Sequence, residues 1–108
     1  MNLIALGINH NSAAVEVRER VAFAPEQVSE ALADACTATG IAEVVILSTC
    51  NRTELYAIAP SMSDMESQAT RLIDWMANYH HLSAEELRKS AYHYESEQAL
   101  AHIIQVAG

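Results

Sequence analysis

The sequence predicts an α+β fold on three observations. Two runs of strand composition, residues 44–47 and 54–59, flank the short polar stretch 48–53 as a hairpin would. On either side of that hairpin, segments of helical spacing alternate with short strand-like ones. Pro and Gly are scarce, 2 and 3 residues, so the connections must be short. A hairpin set between βα units is the pattern of a small ferredoxin-like (split βαβ) sandwich, a mostly antiparallel sheet of about four strands with helices packed on it.

Each element has its own signal. Residues 3–8 are apolar and close at Gly7-Ile8-Asn9-His10, a first strand. Ser12 is placed to cap a helix running to about Val21, with Ala14, Val17 and Val21 on one face. Pro25 suits the first position of the next helix. There Val28, Ala31, Leu32, Ala35 and Cys36 make an apolar stripe, and Gly40 stops it. Val44 to Leu47 is an unbroken apolar run, three of its four residues β-branched, as in a centrally buried strand. From about Glu54, Leu55, Ala57 and Ala59 face one way and Tyr56 and Ile58 the other, until Pro60.

Ser63-Asp64-Met65-Glu66 is a capping box for a long helix with Met65, Ala69, Leu72, Ile73 and Met76 along one side. A second box, Ser83 to Glu86, opens a short helix that Leu82 and Leu87 staple. Residues 90–94 are aromatic and read as an edge strand. Ser96 then caps a last helix lined by Ala99, Leu100, Ile103, Ile104 and Ala107.

Composition excludes several classes. At 51% hydrophobic and 19% charged, the 108 residues suit a globular domain. No apolar run approaches the roughly 18 residues of a membrane span, and no secretory leader is evident. The formal charge of −8, from 14 acidic and 6 basic residues, argues against a generic nucleic-acid surface. Any nucleic acid must be met through few local contacts or by other parts of the polypeptide. Two cysteines without a framework spacing fit a reduced, cytoplasmic setting.

Cys36 completes a helical stripe and reads as packing. Cys50 does not. It lies past the last apolar residue of its strand, in Ser48-Thr49-Cys50-Asn51-Arg52, where a loop presents groups on a rigid scaffold. Arg52 supplies positive charge nearby, which favours a nucleophilic thiolate. Spacing alone leaves Cys50 open between a small buried hydrophobe and a nucleophile.

Of the histidines, His80 and His81 end an exposed helix and read as solvated. His93 reads as cross-strand packing. His102 sits at the border of the last helix's stripe beside Val106, either as packing or aimed into a cleft. No zinc-like spacing, glycine-rich phosphate loop or G-x-S-x-G elbow occurs, so no metal or nucleotide site is expected here.

Three stretches, ALGINHNSAAVEVRERVAF (5–23), LSTCNRTELY (47–56) and AHIIQVAG (101–108), resemble the N-terminal catalytic domain of the glutamyl-tRNA reductase family. The resemblance runs along essentially the whole chain in order. It implies NADPH-dependent reduction of the glutamyl group of glutamyl-tRNA to glutamate-1-semialdehyde, the first committed step of tetrapyrrole (porphyrin) synthesis from glutamate. By the same match Cys50 is the nucleophile that forms a thioester. Thr49, Asn51 and Arg52 belong to the substrate-contacting loop, and His102 is implicated in activity. Arg52 is suited to hold the carboxylate of the substrate glutamate. His10, in the GINH match, is placed near the same cleft.

Ala14 stands where the family commonly has a proline. The resemblance further implies that residues 1–94 form the catalytic domain. Residues 95–108 would begin a long helix leading to NADPH-binding and dimerising regions beyond Gly108. It implies a homodimer, and hand-over of the product to glutamate-1-semialdehyde aminomutase. Two other readings of the residues stay open: another cysteine-dependent acyl transferase or hydrolase, and a non-enzymatic ferredoxin-like binding module.

Overall fold

The computed structural model describes all of residues 1–108. Four strands, β1 (Leu3–Asn9), β2 (Val44–Ser48), β3 (Arg52–Ile58) and β4 (Tyr92–Glu95), form one sheet in the order β2-β3-β1-β4. Every hydrogen-bonded pair is antiparallel. Five α-helices complete the chain: α1 (Val15–Arg20), α2 (Val28–Thr39), α3 (Met65–Tyr79), α4 (Ala84–Ser90) and α5 (Glu97–Ala107). This is the expected split βαβ arrangement, since α2 links β1 to β2 and α3 with α4 links β3 to β4.

Alternation along the strands gives the sheet two unlike faces. Ile4, Leu6 and Ile8 of β1 pair with Ala57, Leu55 and Thr53 of β3 and are buried under α2 and α3. There they meet Ala31 and Ala35 of α2 and Met65, Ala69, Leu72 and Met76 of α3, the helical stripes read from the sequence. Phe23 stacks on Trp75 at 6.0 Å and 7°, and the Trp75 indole N–H donates to Asp34 at 2.7 Å. The opposite face carries Ala5, Gly7 and Asn9 opposite Tyr56, Glu54 and Arg52, and α5 packs across its β1–β4 half.

Several expectations need correcting. The apolar run of β2 is an edge strand, not a central one. It pairs with β3 alone, and its outward Val45 is 58% exposed. Four apolar residues in a row cannot distinguish a strand covered on both faces from an edge strand with one bare face.

Ser12 does not cap α1. Its hydroxyl accepts the Asn9 N–H at 2.9 Å, and the helix opens from Ala14 without a side-chain cap. Ser63 is likewise displaced, because a 3₁₀ turn at Met62–Asp64 moves the start of α3 to Met65. Ser83 does cap α4, accepting the Glu86 N–H at 3.4 Å. At the start of α5, Ser96 adopts φ 57° and its hydroxyl donates instead to the Met1 carbonyl at 2.8 Å.

The packed face of α5 is also rotated from the expected one. Ala99 is buried, with His102, Ile103 and Val106 partly covered, while Ile104 is 62% and Leu100 40% exposed. Gly40 ends α2 in the left-handed conformation at φ 76°, as its place after the stripe requires.

Candidate active site

The β2–β3 turn is built by Thr49. Its backbone N–H donates to the Arg52 carbonyl at 2.8 Å. Its hydroxyl accepts the N–H groups of Asn51 at 3.2 Å and Arg52 at 3.3 Å. Thr49 therefore organises the turn from within. Ser48 anchors the turn's base, accepting the Phe23 N–H at 2.9 Å and bonding the Thr53 hydroxyl at 3.2 Å. On this fixed turn Cys50 and Asn51 are exposed, so Cys50 is not a core residue. Cys36 is half-buried on α2, its sulfur 3.8 Å from the Ala42 carbonyl oxygen.

The centre of the site is a residue that sequence reasoning passed over. Glu54 follows the turn on β3, and its side chain is 0% exposed. Tyr56 and Tyr92 donate their hydroxyls to it, His102 Nε2 lies 2.5 Å from Oε2, and an Arg52 guanidinium nitrogen lies 3.4 Å from the same oxygen. Burial by itself would push this carboxyl up. The hydrogen bonds from Tyr56, Tyr92 and His102, with the positive charge His102 can carry, outweigh it and hold the carboxyl below its ordinary value of 4.5. Burial, then the bond to ionised Glu54 and its negative charge, raise both tyrosine hydroxyls well above their ordinary range.

Three strands and a helix converge here. Arg52, Glu54 and Tyr56 alternate along β3, Tyr92 comes from β4, and Gly7 of β1 lies between Glu54 and Tyr92 in the register. Any side chain at Gly7 would strike the backbone of Thr53 and Glu54. The His102 ring packs 4.7 Å from Tyr94 and 5.4 Å from Tyr92. The signal that could have exposed Glu54 is the Arg-x-Glu-x-Tyr alternation opposite a glycine. It places a charge on an interior strand among tyrosines.

Beside this network lies a mostly polar cleft of about 240 Å³, lined by Asn9, Asn11, Arg52, His102 and Gln105 together with Tyr94 and Val106. The structure thus brings Arg52 and His102 together, with the Cys50 turn immediately before Arg52. His10 is exposed on the turn between Asn9 and Asn11 and does not itself line the cleft. An apolar groove along Val44, Val45 and Ile58 has Glu43 as its only charged group and offers no nucleophile.

The remaining histidines lie elsewhere. His80 is not fully solvated as expected: it packs 4.5 Å from Phe23, and burial, with the nearby charge of His81, lowers its pKa. His93 is exposed, with Nε2 3.1 Å from Glu95 on its own strand. No group of three or more His, Cys, Asp or Glu side chains is placed to hold a metal ion.

An exposed thiol on a hydrogen-bonded turn thus precedes Arg52 by two residues, and Arg52 is joined to His102 through a buried carboxylate, on a ferredoxin-like sheet; Cys50 itself does not line the cleft. Such a site defines the class: a ferredoxin-like domain that presents an exposed cysteine on the turn leading into a buried Arg–Glu–His network. Comparison with known proteins then gives the family. The family model described as glutamyl-tRNAGlu reductase, N-terminal domain, matches residues 6–108. The chain belongs to that family.

The glutamyl-tRNA reductase of Pseudomonas syringae pv. syringae is 52% identical over 107 residues, covering 99% of this chain and 24% of the relative. That of Pseudomonas fluorescens Pf0-1 is 51% identical over the same span. The solved glutamyl-tRNA reductase from Methanopyrus kandleri superposes with a TM-score of 0.71 at 26% identity, over 98% of this chain and 22% of its own. The chain thus spans about a quarter of the length of the relatives it matches.

Proposed function

We propose that this domain carries out the acyl-transfer half of glutamyl-tRNA reduction. Cys50 Sγ attacks the ester carbonyl joining glutamate to the tRNA ribose. The S–C bond forms as the C–O bond breaks, the ribose oxygen takes a proton, and glutamate is left as a thioester. A thiolate suits both stages, being nucleophilic towards an ester and a good leaving group when the thioester is later consumed. Arg52 holds the side-chain carboxylate of the substrate glutamate, using donors not spent on Glu54. Thr49 shapes the turn that presents Cys50, and Asn51 lines the approach. His102 handles the proton.

The observation that carries this reading is the convergence of Arg52 and His102 on Glu54, with an exposed Cys50 two residues before Arg52 in the same turn. The glutamyl-tRNA substrate, the reduction to glutamate-1-semialdehyde and its place in porphyrin biosynthesis come from the family to which the chain belongs.

NADPH, the reductant of that family, does not fit the residues present. All hydrogen-bonded strand pairs are antiparallel, and no glycine-rich loop leads from a strand into a helix. Hydride transfer is therefore assigned to a region outside residues 1–108, with α5 as the path towards it. A homodimer and hand-over of the aldehyde to glutamate-1-semialdehyde aminomutase are parts of the same proposal and rest on the family resemblance. With a charge of −8, tRNA affinity rests on few contacts in this domain. A cytoplasmic setting is supported by two free thiols, and no helix is long and apolar enough to cross a membrane.

The test is mass spectrometry of the protein after incubation with glutamyl-tRNA. A glutamyl adduct on Cys50 and none on Cys36 is expected. Release of free glutamate through Cys50 without an adduct would favour a hydrolase. No reaction at all would favour a binding module.

A further inference from the structure

Glu54 lies outside every residue assigned a part in the reaction above, yet it is the one group that touches both Arg52 and His102. Tyr56 donates to Oε1, Tyr92 and Arg52 donate to Oε2, and His102 Nε2 lies 2.5 Å from Oε2. Two hydroxyls and a guanidinium donate to a carboxyl whose side chain is 0% exposed, and these three donors favour its ionised form independently of the histidine. A carboxylate accepts and never donates. The His102 nitrogen 2.5 Å from it must therefore carry a hydrogen.

We propose that Glu54 is a positioning residue that fixes His102 with its hydrogen on Nε2, leaving Nδ1 as the nitrogen that exchanges protons with the substrate. Tyr92 and Tyr94 flank the ring, with centroids 5.4 and 4.7 Å away. Nδ1 has no hydrogen-bond partner within the protein. The titratable and charged groups around the ring are Arg52, Glu54 and Tyr56 from β3 and Tyr92 and Tyr94 from β4; β1 presents only Ala5, Gly7 and Asn9 on this face. Glu54 thus does for His102 what an orienting carboxylate does for any histidine base, fixing tautomer and angle together. The same carboxylate tethers the Arg52 guanidinium beside the Cys50 turn.

The chemical consequence rests on the proposed thioester reaction, whereas the tautomer does not. In that reaction the proton leaving Cys50 Sγ and the proton gained by the ribose oxygen balance, and Nδ1 carries it from one to the other. The ring passes through the imidazolium and returns to the Nε2–H form.

Two measurements test this separately. Long-range proton–nitrogen NMR of the histidine-labelled protein, at a pH where His102 is neutral, distinguishes a protonated from an unprotonated ring nitrogen. The expected result is a single Nε2–H form in the native protein and in Tyr92→Phe, which keeps the carboxylate. Glu54→Gln should show a mixture of the two tautomers. An Nδ1–H form in the native protein, loss of the Nε2–H form in Tyr92→Phe, or an unchanged tautomer in a folded Glu54→Gln would overturn the proposal.

The native measurement decides the matter even if Glu54→Gln does not fold. Glutamyl transfer to Cys50 in a folded Glu54→Gln should slow by roughly tenfold or more. If the native protein shows the Nε2–H form but never acquires a glutamyl group, the functional reading fails and the positioning role of Glu54 stands.

Discussion

Gly7 and Glu54 sit opposite each other in the β1–β3 register, and a β-carbon on Gly7 would lie 2.2 Å from the Thr53 carbonyl oxygen and 2.8 Å from the Glu54 Cα. Both neighbours are backbone and cannot give way, and Gly7 itself is at φ 156°. Gly7→Ala should therefore destabilise the domain by about 2–4 kcal/mol, as overpacking at a strained position does. Urea unfolding gives the figure. A variant as stable as the parent would mean that the strands part more easily than their register indicates.

The Glu54 network should limit stability at both ends of the pH scale. A carboxyl held below 4.5 in the folded state adds stability that is complete above that value and lost as pH falls through the folded one. Tyr56 and Tyr92, raised above 10.0, add stability that is complete below that value and lost as pH rises through the folded ones. Urea midpoints measured across pH should fall off below about 4.3 and above about 10. Glu54→Gln should remove its share of the acid shoulder and reduce the alkaline one, where burial of the tyrosines still acts. If the acid shoulder kept its full size in that variant, it would belong to other carboxylates.

The two thiols should separate cleanly. Exposed Cys50 should be alkylated in the native protein well before half-buried Cys36. Cys50→Ser should abolish the glutamyl adduct while changing stability by no more than about 0.5 kcal/mol, as expected of a surface substitution. Peptide mapping after a timed pulse of alkylating agent reads the order, and equal labelling would contradict it.

Arg52→Lys keeps the charge but loses the planar fork that holds a carboxylate with two bonds. Glutamyl transfer should fall about tenfold or more, the worth of one charge-assisted hydrogen bond. The loss should be regained in part by raising the glutamyl-tRNA concentration. Unchanged kinetics would remove Arg52 from substrate recognition.

The strands and helices were legible because their signals are periodic. Leu55, Ala57 and Ala59, or Met65, Ala69, Leu72 and Met76, announce a buried face through spacing alone, and all of them are buried. Whether β2 lies at an edge or in the middle depends on which strands pair, and no local run of residues encodes that. The capping serines misled for a related reason. Ser12 and Ser96 have nearby or distant backbone partners that compete with the helix ends, Asn9 for one and Met1 for the other.

At the site, Cys50 stood out as a misfit for the core, and the family motif marked Arg52 and His102. Glu54 stayed hidden because a glutamate in an alternating strand reads as the solvent side. It is buried only because Tyr92 and His102 arrive from an element and a helix made 38 and 48 residues later.

That separation along the chain governs when the Glu54 network can form. A polypeptide emerging from the ribosome presents Cys50, Arg52 and Glu54 long before β4 and α5 exist. Until then the carboxylate faces water, the arginine swings freely and there is no histidine to orient. The Cys50 thiol is already in place, but the network beside it closes only once α5 has been made. An immature or partly unravelled molecule therefore carries the exposed thiol without the ordered arginine, carboxylate and histidine beside it.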